Sequence, residues 1–356
     1  MRSFLKNCTN AGLIAAAVFA VSGSASASAQ EKLVIATTGG TLEQELRTHF
    51  FDPFTKETGI QVITVSGTGA ENVARIKAMA QTGNVEWDLY QAGEIQAASE
   101  LHKLMNEDMT EFCRAYQGDK DLLPGACASS GVLSAYGTTL LAYNTRSFPA
   151  PGLKTWADFF DVKKFPGPRS MPNFNDPWRV MAAALLADGV QPGALFPLDV
   201  DRALAKLDTI RPHISLWWKT GDQSTQGFRN GEYVAGEIWQ TRASALKKEG
   251  QPLAWSQDQA FLVGDRWALI KKAPHRANAI RFLEYFLAHP QAQARVCEAL
   301  TCTPARYSAA KAMNAEAQAA APTSPDVFEK LIRPDAAWIN ANNQMLLERW
   351  NEWNQR

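Results

Sequence analysis

Several chemistries are excluded by what this 356-residue chain lacks. No G-x-G-x-x-G opens a helix and no G-x-x-x-x-G-K-[ST] occurs, so neither a dinucleotide turn nor a P-loop is present. The stretch Gly67-Thr68-Gly69 lacks the third glycine. There is no G-x-S-x-G, and the five histidines (His49, His102, His213, His275, His289) are scattered, with no H-E-x-x-H. Neither charge sign prevails: 36 Lys+Arg face 36 Asp+Glu, which gives nucleic acid or an anionic membrane no electrostatic hold. Past the N-terminus, no apolar run is long enough to cross a bilayer.

What is present begins with an export signal. Arg2 and Lys6 form a positive start, Leu13–Val21 a short apolar run, and Ala27-Ser28-Ala29 a cleavage site, so residues 1–29 read as a signal peptide and the mature chain as starting at Gln30. Cys8 leaves with it. Lys6 lies too close to that cysteine for a lipoprotein box, so a freely soluble periplasmic protein is expected. The remaining Cys113, Cys127, Cys297 and Cys302 allow three pairings. The local pairs, Cys113–Cys127 and Cys297–Cys302, are expected, since short loops close at least entropic cost and the periplasm is oxidising. A zinc site would want paired C-x-x-C spacings, which Cys113 and Cys127 do not supply. No metal or cofactor is therefore expected. At 46% hydrophobic residues the chain can bury a large core, and its length suggests two lobes. Eleven Trp exceed the needs of packing, so some should meet a ligand.

The first hundred residues alternate strands and helices. Lys32–Thr37 is a strand bounded by glycines. Residues 41–57 show helical spacing at Leu42, Leu46, Phe50 and Phe54 and stop at Gly59. "IQVITVSG" is a second strand, "AENVARIKAMAQTG" a helix closed by Gly83, Trp87–Gly93 a third strand, and "EIQAASELHKLM" a helix. This βαβαβ order predicts a parallel sheet with the ligand beyond the carboxyl ends of its strands, where Thr38-Gly39-Gly40-Thr41, Ser66–Gly69 and Ala92-Gly93-Glu94 lie. "GVLSAYGTTLLAYNTRSF" reads as a long crossing between lobes and "DRWALIKKAP" as the return. In between, residues 153–189 read as loop, strand, loop, helix. "VDRALAKLDTIRPHISLWW" is a helix and strand, and "GFRNGEYVAGEIWQTRASALKKEG" supplies a strand (Tyr233–Trp239) and a helix. A helix pair broken by Pro290, an Ala-rich connector "NAEAQAAAP", and a terminal helix with Trp338, Trp350 and Trp353 complete the chain.

Three motifs imitate enzymes. "ATTGGTL" resembles the first threonine loop of the bacterial asparaginases, which raises an exported amidohydrolase as an alternative. Such chemistry needs a second Thr in a T-D dipeptide, and none exists. Ser308-Ala-Ala-Lys311 and Lys219-Thr220-Gly221 mimic β-lactamase motifs in reversed order, without S-D-N. With no nucleophile–base pair in evidence, a binding protein is expected and catalysis is not.

Taken in order, the remaining stretches carry a resemblance. "FTKETGIQV", "VEWDLYQAG", "YGTTLLAYN", "KTWADFFD", "FRNGEYVAGEIWQTRA" and "AIRFLEYFLAHPQAQARVCEALTCTPAR" resemble, in sequence and spacing, the solute-binding proteins of ABC importers. Within that group they are most similar to the spermidine/putrescine receptors and their γ-aminobutyrate- and opine-binding relatives. The resemblance implies an α/β fold of the two-lobed, type II periplasmic kind, with a hinge and an interlobe cleft. It also implies a permease partner in the inner membrane, and a monomer. Lobe 1 is expected over residues 30–138 plus 264–305, and lobe 2 over 139–263 plus 306–356.

The same resemblance suggests a site. Polyamine receptors stack aromatic rings on the ligand's methylenes and pin its ammoniums with carboxylates. Trp239 matches the family's cleft tryptophan, while Asp265 and Asp176 match its acids. Two departures stand out. Leu262-Val263-Gly264 replace the aromatic before the second acid, and Arg242 follows Trp239 by three. An arginine repels a polycation but forks onto a carboxylate. Arg242 with Asp265 would thus clamp a zwitterion such as an ω-amino acid, with Trp239 and Trp178 over its methylenes. Glu94 and Tyr136 complete the rim, and Thr38, Gly39, Gly40, Thr41 and Gly93 form the first-lobe wall. A polyamine is the alternative ligand. Plain structural roles compete for these positions: core packing for Trp239, and a solvated helix face beside Lys247 and Lys248 for Arg242.

Overall fold

The structure, a computed structural model, describes residues 31–67, 69–174, 176–321 and 325–356. The expected export signal lies outside them. Ten strands form one sheet: β1 Lys32–Thr37, β2 Gln61–Ser66, β3 Leu89–Gly93, β4 Cys127–Ala128, β5 Gly131–Asn144, β6 Arg169–Pro172, β7 Ile214–Trp218, β8 Ala235–Trp239, β9 Leu253–Leu269 and β10 Thr303–Pro304. The order is β2-β1-β3-β9-β5-β8-β6-β7, with β4 and β10 appended to β5.

The expected βαβαβ unit is present. β1 pairs in parallel with β2 and β3. The helical run between β1 and β2 covers Gly40–Thr58, with a π-helical segment at Arg47–Phe51, and ends at Gly59. Gly59 takes φ 76°, a left-handed cap that a side chain would strain. Its apolar stripe (Leu46, Phe50, Phe51, Phe54) is buried against Phe282, Phe286 and Trp267.

β5 and β9 are the two long strands, antiparallel along nearly their whole length. β9 pairs β3 on one side, and β5 pairs β8 on the other. Both crossings therefore belong to both halves of the sheet. The return crossing is longer than "DRWALIKKAP" suggested: it begins at Leu253. The second half repeats the parallel pattern, β8-β6-β7. Its core gathers Trp156, Phe159, the wholly buried helix face of Trp178–Leu186, and Trp350 and Trp353 of the terminal helix Ala336–Asn354.

Local differences from the sequence reading have local causes. A helix Trp156–Phe160 forms because Thr155 and Asp158 cap it reciprocally, an arrangement contributing about 1 kcal/mol. A helix Gly221–Asn230 precedes β8. The segment after "EIQAA" splits into Glu94–Ala97 and Glu100–Met105, because Ser99 caps a fresh start. The Ala-rich connector contains a helix, Ala315–Ala320, capped by Asn314. Residues 307–321 touch both expected lobes: Ala309, Met313, Ala317 and Ala321 pack on Ala294, Cys297 and Cys302, beside Ala135, while the Ala320 carbonyl accepts hydrogen bonds from Gln240 and Gln257. Both disulfides pair as expected, Cys113–Cys127 and Cys297–Cys302.

Candidate functional site

Directly paired residues of a sheet point to the same face, and successive residues alternate. The registers Gly93↔Asp265↔Ala135, Gly137↔Val263 and Phe261↔Thr139↔Trp239, with Leu141↔Glu237, thus put these residues on one face. At one end the helices Gly40–Thr58 and Arg276–Ala288 cover this face through Trp267. At the other end the helix Trp178–Ala187 covers it, with Trp178 edge-on to Phe261 at 5.6 Å. In between, Gly93, Ala135, Gly137 and Val263 are part-exposed and Asp265 is exposed, on the two central strands of the sheet and their neighbour. Among the described residues, no heavy atom beyond its own chain neighbours lies within 4 Å of the place a Gly137 Cβ would take. A gap in the middle of a sheet, walled by helices on both sides, is a cleft.

Asp265 stands on its floor. The residue is exposed, yet the protein around it raises the carboxyl pKa to about 6. Desolvation is the main cause, Arg179 opposes it, and Glu94 adds to it. Across the gap, Glu237 is wholly buried, and desolvation pushes it to about 8, with Arg179 lowering and Asp176 raising it. Arg179 is thus the cation felt by acids of both halves. Asp176 holds its Nη1 at 2.9 Å, and the Trp178 ring lies 4.9 Å beneath it. Several buried polar atoms here have no hydrogen-bond partner among the described residues: both Glu237 carboxylate oxygens, Arg179 Nε, Trp178 Nε1 and Thr139 Oγ1. Unsatisfied groups clustered around a cleft mark a place prepared for a guest or for ordered water.

Trp239, half-buried at the end of β8, stacks on Phe174 at 5.8 Å and meets Trp218 edge-on at 5.5 Å. Trp178 is a correction. It was expected to cover ligand methylenes, but it is wholly buried in the second core between Phe196 and Phe261, because the apolar helix it opens faces inward throughout. Tyr136 and Glu94 also differ from expectation. Tyr136 pairs with Gly264, one step from Asp265 and so on the opposite face, where its ring meets Phe328 at 5.5 Å. Glu94 accepts a hydrogen bond from buried Arg266 at 2.7 Å. Arg242 sits on the helix Gln240–Lys248, which packs through Ala243 and Leu246 with Leu140 and Ile238 of that opposite face. Its Nη1 pairs with Asp222 at 2.9 Å.

The glycine turn follows β1. Gly39 and Gly40 have φ 71° and 64°, and no side chain caps the helix they open. Thr38 and Thr41 are exposed. Glu43 fixes the turn from within, accepting hydrogen bonds from Thr37 and Thr64 at 2.6 and 2.7 Å and from Ser66 at 2.5 Å. Leu42, next to the turn, lines the same small cavity as Ala135, the residue opposite Asp265.

The sequence reading did not single out Arg179, Phe174, Trp218 or Glu237, which the structure places beside the candidate residues. Arg179 lies within the quoted "NFNDPWRV", where attention stopped at the acid and the ring.

Residues 49–323 match the family of bacterial extracellular solute-binding proteins. The chain belongs to this family. It is 30% identical over 345 residues to a γ-aminobutyric acid-binding protein of Pseudomonas aeruginosa, covering 94% of this chain and 95% of that one. Among solved structures it matches the binding protein AttC of Agrobacterium tumefaciens C58, open and unliganded, at 55% identity and TM-score 0.78, covering 91% and 99% of the two chains. It also matches a GABA receptor at 31% identity and TM-score 0.79, covering 91% and 97%. These neighbours share the α/β periplasmic-binding-protein fold. This chain is a solute-binding receptor of that family.

Proposed function

We propose that this chain is exported to the periplasm through residues 1–29 and there captures a small amine-bearing solute. The favoured class is an ω-amino acid such as γ-aminobutyrate, handed to the permease of an ABC importer without catalysis. The observation that carries this reading is Asp265: an accessible yet desolvated carboxylate on the floor of a cleft. A ligand ammonium restores the partner that water supplies poorly there, through a charge-assisted hydrogen bond. Trp239, backed by Phe174 and Trp218, offers a ring face for methylenes and for the cation. The exposed turn Thr38–Thr41, with its uncapped helix start, forms the first-lobe wall and favours an anionic or hydroxyl group. β5 and β9 act as the hinge about which the lobes close. The relatives whose names carry γ-aminobutyrate support the choice of ligand.

One observation favours a second reading, a polyamine. Asp176, Glu237 and Asp265 face a single arginine, Arg179, so acids outnumber cations in the cleft. The test is calorimetric titration of the mature protein with γ-aminobutyrate, other ω-amino acids, putrescine and spermidine. Tight binding of ω-amino acids and weak binding of diamines supports the first reading. The reverse order establishes the second, and asparagine hydrolysis would return the chain to the amidohydrolase alternative.

A further inference from the structure

We infer that Asn340, near the start of the terminal helix, is a latch between the two halves: it holds the helix Glu94–Ala97 against the second core, and its release lets the cleft open. This rests on the reading of β5 and β9 as the hinge.

The helix Glu94–Ala97 follows β3 directly and serves two cores. Ala97 is buried in a first-half cluster with Ala36, Tyr90 and Ala92. Glu94 is tied to the same half through Arg266, which also donates to the Gly125 and Gly131 carbonyls. Ile95, between them, packs on the second core instead. Its carbonyl accepts a 2.8 Å hydrogen bond from Asn340 Nδ2. Asn340 stands in the helix Ala336–Asn354, whose Ile339, Leu346, Trp350 and Trp353 are buried in that second core.

The contact lies where opening must act on it. Ile95 is two residues past Gly93, which pairs with Asp265 on the cleft floor. Trp338, two residues before Asn340, meets Phe196, and Phe196 meets Trp178 of the helix that walls the cleft. The bond therefore joins the rim of the first half to the wall of the second. Nearby, Ile332 pairs along β9: its N–H donates to the Ala260 carbonyl at 2.8 Å, and its carbonyl accepts from Leu262 N–H at 2.9 Å. Backbone pairing on a hinge strand bends with the strand. The Asn340 bond is a single side-chain contact off the strands, so it breaks without unpairing the sheet. Glu94 and Ala97 keep their helix with the first half. A rotation that draws rim from wall thus releases Ile95 from Asn340.

The experiment is a pulsed electron-spin distance measurement on the mature protein, labelled at Lys77→Cys and Lys163→Cys. Both positions are exposed, one in each half, and the other four cysteines are paired. In the ligand-free protein, Asn340→Ala should shift the ratio of short-distance to long-distance molecules about fivefold toward long, the worth of one neutral hydrogen bond. Asn340→Asp sets a carboxylate against the Ile95 carbonyl and should shift it further. Asn342→Ala is the control, because Asn342 donates to the Trp338 carbonyl of its own helix, and it should leave the distances unchanged. Equal shifts in Asn340→Ala and Asn342→Ala overturn the inference, since they report damage to the helix. A shift toward short distances in Asn340→Ala also overturns it, because the bond would then hold the cleft open. The parent is measured again with saturating γ-aminobutyrate and with putrescine. Distances that a ligand moves and Asn340→Ala does not remove the latch alone. Distances that neither moves remove the hinge reading with it.

Discussion

Two glutamates, Glu43 on the helix after β1 and Glu237 on β8, show what separates a finished structure from a prepared one. Glu43, behind the glycine turn, receives hydrogen bonds from Thr37, Thr64 and Ser66 and lies near Arg47. Burial pushes its carboxyl up, but those three hydroxyls and Arg47 outweigh it, and the pKa falls below the ordinary range. Glu237, beneath the cleft, has no hydrogen bond to either carboxylate oxygen, and burial drives it up to about 8. The chain has spent its polar partners on the turn and withheld them from the cleft. A turn so satisfied serves as scaffold, whereas the buried acid beneath the cleft is left without a hydrogen-bond partner among the described residues.

The sharpest way to break this contrast is at Asp265. Asp265→Asn removes the charge that, on the proposed reading, the ligand ammonium meets in a desolvated place. Losing one member of such a pair costs about 4 kcal/mol, near a thousandfold in affinity. Calorimetry should show this loss with an unfolding midpoint no lower than that of the parent, because a carboxyl whose pKa is raised to about 6 by desolvation does not stabilise the fold when charged at neutral pH. Retained affinity would place the amine elsewhere.

Glu237 tests the orphaned side of the comparison through stability. Folded, it keeps its proton up to about 8, whereas an unfolded glutamate releases it near 4.5. Between those values the unfolded chain holds fewer protons, so rising pH favours unfolding. Glu237→Gln should abolish that slope and stabilise the protein at pH 8 by a few kcal/mol. Thermal melts from pH 5 to 9 read it directly, and parallel curves for the two proteins would show that Glu237 does not titrate in this window.

Gly137 tests whether the gap itself matters. A Cβ there meets nothing within 4 Å and the backbone is an ordinary strand, so Gly137→Val should fold as well as the parent or slightly better. The branched side chain would nonetheless stand on the cleft floor between Val263 and Thr139 and weaken ligand binding about tenfold. Unchanged affinity would move the site off this face.

How far the sequence reached follows the same division. Strands such as Lys32–Thr37 and helices such as Pro290–Leu300 were legible because apolar period and Gly or Pro punctuation are local signals. The helix Gly221–Asn230 was not, since two glycines disguise it. The structure explains both: a Cβ at Gly227 would lie 2.1 Å from the Tyr233 ring, and one at Gly221 would lie 2.9 Å from Trp239. Asp265 and Trp239 were singled out through short motifs, and the sheet register puts them on one face. Arg179 was passed over, because the acids it influences, Glu237 and Asp265, lie far along the chain. Arg242 looked free for a related reason, as its partner Asp222 lies twenty residues upstream. Pairing between distant segments leaves no periodic trace.

The smallest effect should come from the satisfied side. Glu43→Gln keeps one acceptor oxygen and substitutes an amide for the other, so rotating hydroxyls of Thr37, Thr64 and Ser66 can re-pair in part. The cost should be about 1 kcal/mol. Its pH signature runs opposite to that of Glu237. A folded-state pKa below the ordinary 4.5 means that the carboxylate stabilises the fold above that value, and that this contribution fades as pH falls through the folded value. The variant should therefore be weaker than the parent at neutral pH and converge with it in acid. Ligand affinity should change less than threefold, because Glu43 holds the turn from behind. A large loss of affinity at neutral pH with an unchanged melting point would mean that Glu43 acts on the ligand, and the glycine turn would then join the cleft as a second prepared surface.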